Sequence, residues 1–158
     1  MSEVQVKAAV EDNSLPFSQT GGEVLSFEVE DNVYGAELQY ITEIIGIQPI
    51  TIVPKVPSYI KGVINIRGKV IPVMSVRKRF GKEEIPYDER TCIVVIERDS
   101  ITVGLIVDRV REVLNVKAKE VSQTPDYKNV NANRYIKNII DSNNEIKLLL
   151  DCQKLINE

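Results

Sequence analysis

Groups able to make or break bonds are scarce in this chain of 158 residues, which has no histidine and only two cysteines. Without histidine there is no Ser-His-Asp or Cys-His nucleophile, no histidine-ligated zinc and no imidazole base. Cys92 and Cys152 lie far apart, form no C-x-x-C pair and cannot build a structural zinc site alone. Each stands in or beside an apolar run, which predicts reduced, buried thiols in a cytosolic protein. The carboxylate pairs Glu83-Glu84 and Asp88-Glu89 fall in a polar stretch and read as a solvated charge cluster. No phosphate loop, dinucleotide fingerprint, H-E-x-x-H motif or EF-hand loop occurs. The spacing therefore predicts neither a catalytic centre nor a metal site, and no cofactor.

Arg67 is the sharper case. It stands between two apolar runs, in Asn65-Ile66-Arg67-Gly68, where a hairpin tip normally takes Asn or Asp. Two readings stay open: an exposed turn residue, or an arginine whose planar fork of donors meets a carboxylate or a partner surface. Glu43 is equally ambiguous between a solvated face and a partner contact.

The composition sets the frame. Hydrophobic residues make up 43% and charged residues 27%, enough for a globular core. The net charge of −3 provides no cationic excess for phosphate binding, which argues against nucleic acid. No apolar h-region opens the chain, and no apolar run reaches the length of a membrane span. The expectation is a soluble cytoplasmic protein.

The elements follow from periodicity. Residues 1–22 are polar and acidic and read as a flexible tail. Leu25, Phe27 and Val29 alternate with polar residues as in a half-buried strand, and Val33–Ala36 returns as the second arm of a hairpin. Leu38, Ile41, Ile44 and Ile45 suit one face of a short helix stopped by Gly46, with Gln39, Thr42 and Glu43 towards solvent. Pro49, Pro54 and Pro57 restrict the next stretch to an edge strand at Ile50–Val53 and a loop. Val63–Ile66 and Val70–Met74 form a hairpin with Gly68 at positive φ. One basic helical turn, Ser75–Gly81, and a charged loop, Lys82–Arg90, follow.

Cys92–Glu97 is almost continuously apolar, as in a strand buried on both faces, and pairs with Ile101–Val107. In Asp108–Val113 the offset of Val110 from Val113 predicts a bulge. Residues 117–134 read as polar loop. Tyr135–Ile140 and Ile146–Leu150 form a last hairpin, and Asp151 caps a final helical turn through Leu155. Many short strands indicate an all-β fold of two small barrels, with the boundary near residues 75–90.

The run Ile60–Val73, continued by Val76-Arg77 and Arg79-Phe80-Gly81, resembles the signature of the CheW family of chemotaxis coupling proteins. Phe27 with Tyr34-Gly35, Ile41–Gly46, Val103–Val110 and Glu112–Leu114 resemble further blocks in the family order, so the likeness spans residues 24 to 156. The resemblance implies two intertwined five-stranded SH3-like barrels over residues 23–158. It also implies a non-enzymatic adaptor that joins the cytoplasmic tips of chemoreceptors to the regulatory domain of the histidine kinase CheA. Membrane association would then come only through the receptors. By position, Ile41, Glu43, Gly62, Arg67, Gly104, Val110 and Val113 become receptor-side residues. Ile50 and Thr51 become kinase-side residues, joined by Tyr127, an aromatic that either packs inward or makes a second kinase contact. Two departures stand out: Ser75 occupies a place where the family commonly has aspartate, and Ile45 one where a polar residue is frequent. The rival reading is a small barrel that binds RNA or a protein outside chemotaxis.

Overall fold

Alternating apolar residues write eleven strands among the residues that the computed structural model describes, 15–124 and 134–157. In order these are β1 (Gly22–Val29), β2 (Asn32–Glu37), β3 (Ile41–Gly46), β4 (Ile60–Ile66), β5 (Lys69–Ser75), β6 (Cys92–Arg98), β7 (Ile101–Val107), β8 (Arg109–Val116), β9 (Val121–Gln123), β10 (Ile136–Ser142) and β11 (Glu145–Leu150). Three short helices, α1 (Phe17–Thr20), α2 (Val76–Arg79) and α3 (Cys152–Asn157), complete the fold. None of the described helices is long and apolar enough to cross a membrane.

The strands form two sheets. One has the order β8-β1-β2-β11-β10-β9, the other β3-β6-β7-β5-β4. The first takes its strands from both ends of the chain and the second from the middle, so the two units interleave. The chain therefore does not divide near residues 75–90; it crosses between sheets at Leu38–Tyr40 and at Asp108. The hydrophobic pattern shows which face of a strand is buried but not which neighbour covers it.

Three apolar clusters explain the pattern. Ile64, Ile71, Val73, Ile93, Val95 and Ile106 fill the five-stranded unit. Phe17, Val24, Val116, Ile140 and Leu149 fill the six-stranded unit. A larger cluster lies where the sheets meet, with Leu25, Phe27 and Val29 from one and Val94, Ile96, Val103 and Leu105 from the other. β6 thus sends Ile93 and Val95 into its own unit and Val94 and Ile96 into the shared core, which accounts for its continuous apolar run.

The sequence reading needs correction at three further points. The stretch 117–134 read as polar loop holds a 3-10 turn, Ala118–Glu120, and strand β9, which pairs with β10. The segment read as a helix is a 3-10 turn, Leu38–Tyr40, followed by strand β3. Four of the six β3 residues are β-branched, and five pair with β6, so the ladder outweighs the helical spacing. The stretch read as tail also has an ordered end: Phe17 is buried within α1 and packs against Val24 and Val116. One large aromatic provides the apolar surface that the polar composition concealed. Residues 1–14 lie outside the described residues.

Candidate functional site

The hairpin β4–β5 turns on Arg67 (φ 49°) and Gly68 (φ 85°), both left-handed, as a two-residue turn of that hand requires. Asn65 Oδ1 accepts a hydrogen bond from Gly68 N at 3.0 Å and closes the tip. The Arg67 guanidinium reaches back to Glu43 on β3, making an ion pair. β3 is one edge of the five-stranded sheet and the β4–β5 hairpin is the other. The ion pair therefore joins opposite edges and shows that the sheet curls into a barrel. Glu43 is mostly covered, whereas the Arg67 side chain remains 74% exposed.

Ile41 and Ile44 on β3 stand opposite Ile96 and Val94, so both lie on the strand face turned to the shared core. Ile44 is exposed there. Reading this segment as a helix had hidden its role by placing it on the buried side. On β8, an edge of the six-stranded sheet, Val110 and Val113 stand opposite Phe27 and Leu25, again on the shared-core face. The pairing opposes three β8 steps to two on β1, which is the expected bulge. Val110 packs on the core, and Val113 is half-exposed. Two edge strands from different sheets thus present apolar residues beside one core.

Two other receptor-side candidates sit differently. Gly104 is buried in β7 between Val73 and Val95. A Cβ there meets Ile93 Cγ2 at 2.8 Å and Val73 Cγ1 at 2.9 Å. Gly62 is buried beneath Ile50 and Thr51. Both glycines permit close packing and present no side chain to a partner.

On the kinase-side candidates, Thr51 bridges Val63 through two hydrogen bonds of 2.9 Å. It is exposed, while Ile50 packs into the five-stranded unit. The exposed apolar residue of this edge is Ile52, at 83%. The pairing with β4 is the isolated bridge at Thr51, so regular alternation does not extend beyond it, and residue type alone does not tell Ile50 from Ile52. Ile50→Asp is therefore expected to destabilise the fold itself by ~3 kcal/mol or more, a charge being placed in apolar surroundings. Ile52→Asp should leave the melting temperature within about 2 °C. A large shift in the Ile52 variant would show that this residue is packed rather than presented. Tyr127 lies outside the described residues.

Arg77, on α2, holds Asp108 through Nε at 2.9 Å and Nη2 at 2.7 Å. Burial pushes the Asp108 carboxyl up, but the hydrogen bonds from Arg77 and from Glu30 N outweigh it and hold it below the usual aspartate range. Ser75, where an aspartate was expected, instead caps α2 by accepting from Lys78 N at 3.1 Å. Ile45, the second departure, packs into the five-stranded unit rather than onto the surface.

Neither cysteine is bridged. Cys152 is buried, and burial with the nearby Glu37 charge pushes its thiol up to about 12. Cys92 is half-exposed. A thiolate is the reactive form, so iodoacetamide at pH 8 is expected to label Cys92 well before Cys152 in folded protein. Freshly prepared protein should have the mass of two free thiols under non-reducing conditions. Loss of two hydrogens, or equal labelling of both cysteines, would contradict this. Among the described residues, no cluster of acidic or cysteine side chains could hold a metal ion.

A family model described as CheW-like domain matches residues 23–158. A chemotaxis protein CheW of Klebsiella aerogenes is 30% identical over 144 residues, covering 91% of this chain and 87% of its own length. That of Thermotoga maritima is 33% identical over 140 residues, covering 86% and 88%. Among solved structures, the scaffolding protein TtCheW of Thermoanaerobacter tengcongensis superposes with a TM-score of 0.77 at 26% identity. That match covers 83% of this chain and 89% of the other.

Proposed function

The chain belongs to the CheW-like domain family, and from that membership we propose that it joins chemoreceptor cytoplasmic tips to the histidine kinase CheA. It is a chemotaxis coupling adaptor with an SH3-like all-β fold. Its work is binding rather than bond chemistry, and its place is the cytoplasm, at the membrane only through receptors. The observation that carries the reading is the pair of edge strands beside the shared core, Ile41 and Ile44 on β3 and Val110 and Val113 on β8, with the Glu43–Arg67 ion pair on the other face of β3. Apolar side chains with a charged rim suit a helical receptor tip. The kinase contact falls on the Thr51–Ile52 edge, where an exposed β-branched residue flanked by prolines can lie against another barrel. The net charge of −3 argues against the RNA-binding alternative.

Co-sedimentation with receptor-containing membranes tests the reading. The protein is expected in the pellet with receptors present, with more kinase recruited when it is added. If it stays in the supernatant with or without CheA, the adaptor role fails.

A further inference from the structure

We infer that Arg77 and Asp108 form a directional clamp that sets the angle between the two sheets, and so the spacing between β3 and β8. The inference rests on the receptor-facing reading of those strands. Asp108 is the single residue between β7, which belongs to one sheet, and β8, which belongs to the other. Its backbone N donates to Glu28 O at 3.0 Å. Its carboxylate accepts from Glu30 N at 2.7 Å, which ties it to the β1–β2 turn of the six-stranded sheet. The same carboxylate takes the Arg77 fork, and Arg77 follows β5 of the five-stranded sheet. Arg77 Nη1 donates to Glu83 O at 2.9 Å, and Lys82 pairs with Glu30 at 2.9 Å, so the connection after α2 is drawn into the same cluster. The two side chains of the pair are only 13% and 24% exposed.

The shared core is apolar, and apolar contact has no preferred direction. A core of that kind holds two sheets together without fixing one angle between them. Charge-assisted, two-pronged hydrogen bonds are short and directional. Placed at the point where the chain changes sheets, they fix the start of β8, and Val110 and Val113 follow within a few residues. Arg77 and Asp108 are thus positioning residues: they touch no partner but decide how far apart the two walls stand.

The test separates position from stability. Spin labels on a genetically encoded keto amino acid at the exposed positions Thr42 and Asn115 report the β3-to-β8 distance and leave both native thiols intact. Each of Arg77→Gln and Asp108→Asn is expected to broaden or shift the distance distribution and weaken binding of a soluble receptor-tip fragment about tenfold. The double variant should be little worse than either single one, because partners of one pair are not additive. Arg77→Lys, which keeps the charge but loses the fork, should fold and lie between wild type and Arg77→Gln. An unchanged distribution in folded single variants, or in Arg77→Lys if the others fail to fold, overturns the inference. So does a fall in melting temperature alone, with distance and binding intact. Failure of the wild type to bind the receptor fragment would count against the adaptor reading and leave the distance measurement to judge the clamp.

Discussion

Arg67→Gly is expected to leave the fold intact and to remove roughly 2 kcal/mol or more of receptor binding, a loss of about thirtyfold. The two effects separate because of where the residue sits. Arg67 adopts φ 49°, a conformation that side chains other than Gly, Asn and Asp rarely take, so glycine relieves the tip while removing the guanidinium. The change gives up the ion pair with Glu43. With its arginine so exposed, the pair contributes about 0–1 kcal/mol, and the two terms nearly cancel in stability. Binding behaves differently, since the guanidinium is largely exposed at the rim of the proposed surface and has donors to offer. Arg67→Ala should show the same binding loss with a slightly lower melting temperature. Arg67→Lys should recover only part, because an ammonium cannot present a planar fork. Receptor pull-down and receptor-dependent kinase activation, beside a thermal melt, read both quantities. Full coupling by the glycine variant would reduce Arg67 to a turn residue. A large fall in its melting temperature would mean that the ion pair holds the barrel closed.

Gly62→Ala is expected to cost about 3 kcal/mol of stability, or about 6–12 °C in melting temperature for a chain of this size. Two penalties combine. The residue adopts φ +145°, a region that side chains rarely enter, and a Cβ built there lies 2.2 Å from Thr51 O and 2.8 Å from Ile50 Cγ2. The obstructing atom is backbone, held by the two hydrogen bonds between Thr51 and Val63, so it cannot swing aside as a flexible side chain can. The Ile50–Thr51 segment must lift from β4, and Ile50 leaves its place against the barrel core. Gly46→Ala serves as the control, because nothing lies within 4 Å of a Cβ there. Gly104→Ala falls between them, as its nearest neighbours are side-chain methyl groups at ordinary strand dihedrals. Receptor binding by Gly62→Ala should fall only with the folded fraction. Lost binding at an unchanged melting temperature would instead place Gly62 on the receptor surface.

The strands were legible because burial imposes a period of two. The Val63–Met74 hairpin, the Cys92–Val107 pair, the Val110 bulge and the final hairpin all appear where the alternation and turn residues put them. Asp151 caps the last helix as expected, accepting from Lys154 N at 3.1 Å. β9 was missed in a polar stretch, and β3 was misread in type. Its apolar residues fit a helical face as well as a strand, and only pairing with β6, some fifty residues away in sequence, decides between them.

By itself the sequence determined three things about this protein: an all-β class, the absence of histidine chemistry, and the family. Each follows from local pattern or composition, which needs no knowledge of what packs on what. Tertiary structure alone decided which strands share a sheet, because an apolar strand face carries no label for its neighbour. The same fact separated the site residues. Arg67 and Glu43 lie far apart in sequence and meet because the sheet curls until its edges touch. Gly62 and Gly104, read beside them as partner contacts, proved to be places where two pieces of backbone or core come too close for a side chain. Ile50 and Ile52 differ by two positions and share residue type, yet one is packed and the other exposed. Both flank Thr51, whose bridge to Val63 is an isolated pairing, so the ladder stops there and nothing in the local sequence says which of the two has a core to pack against.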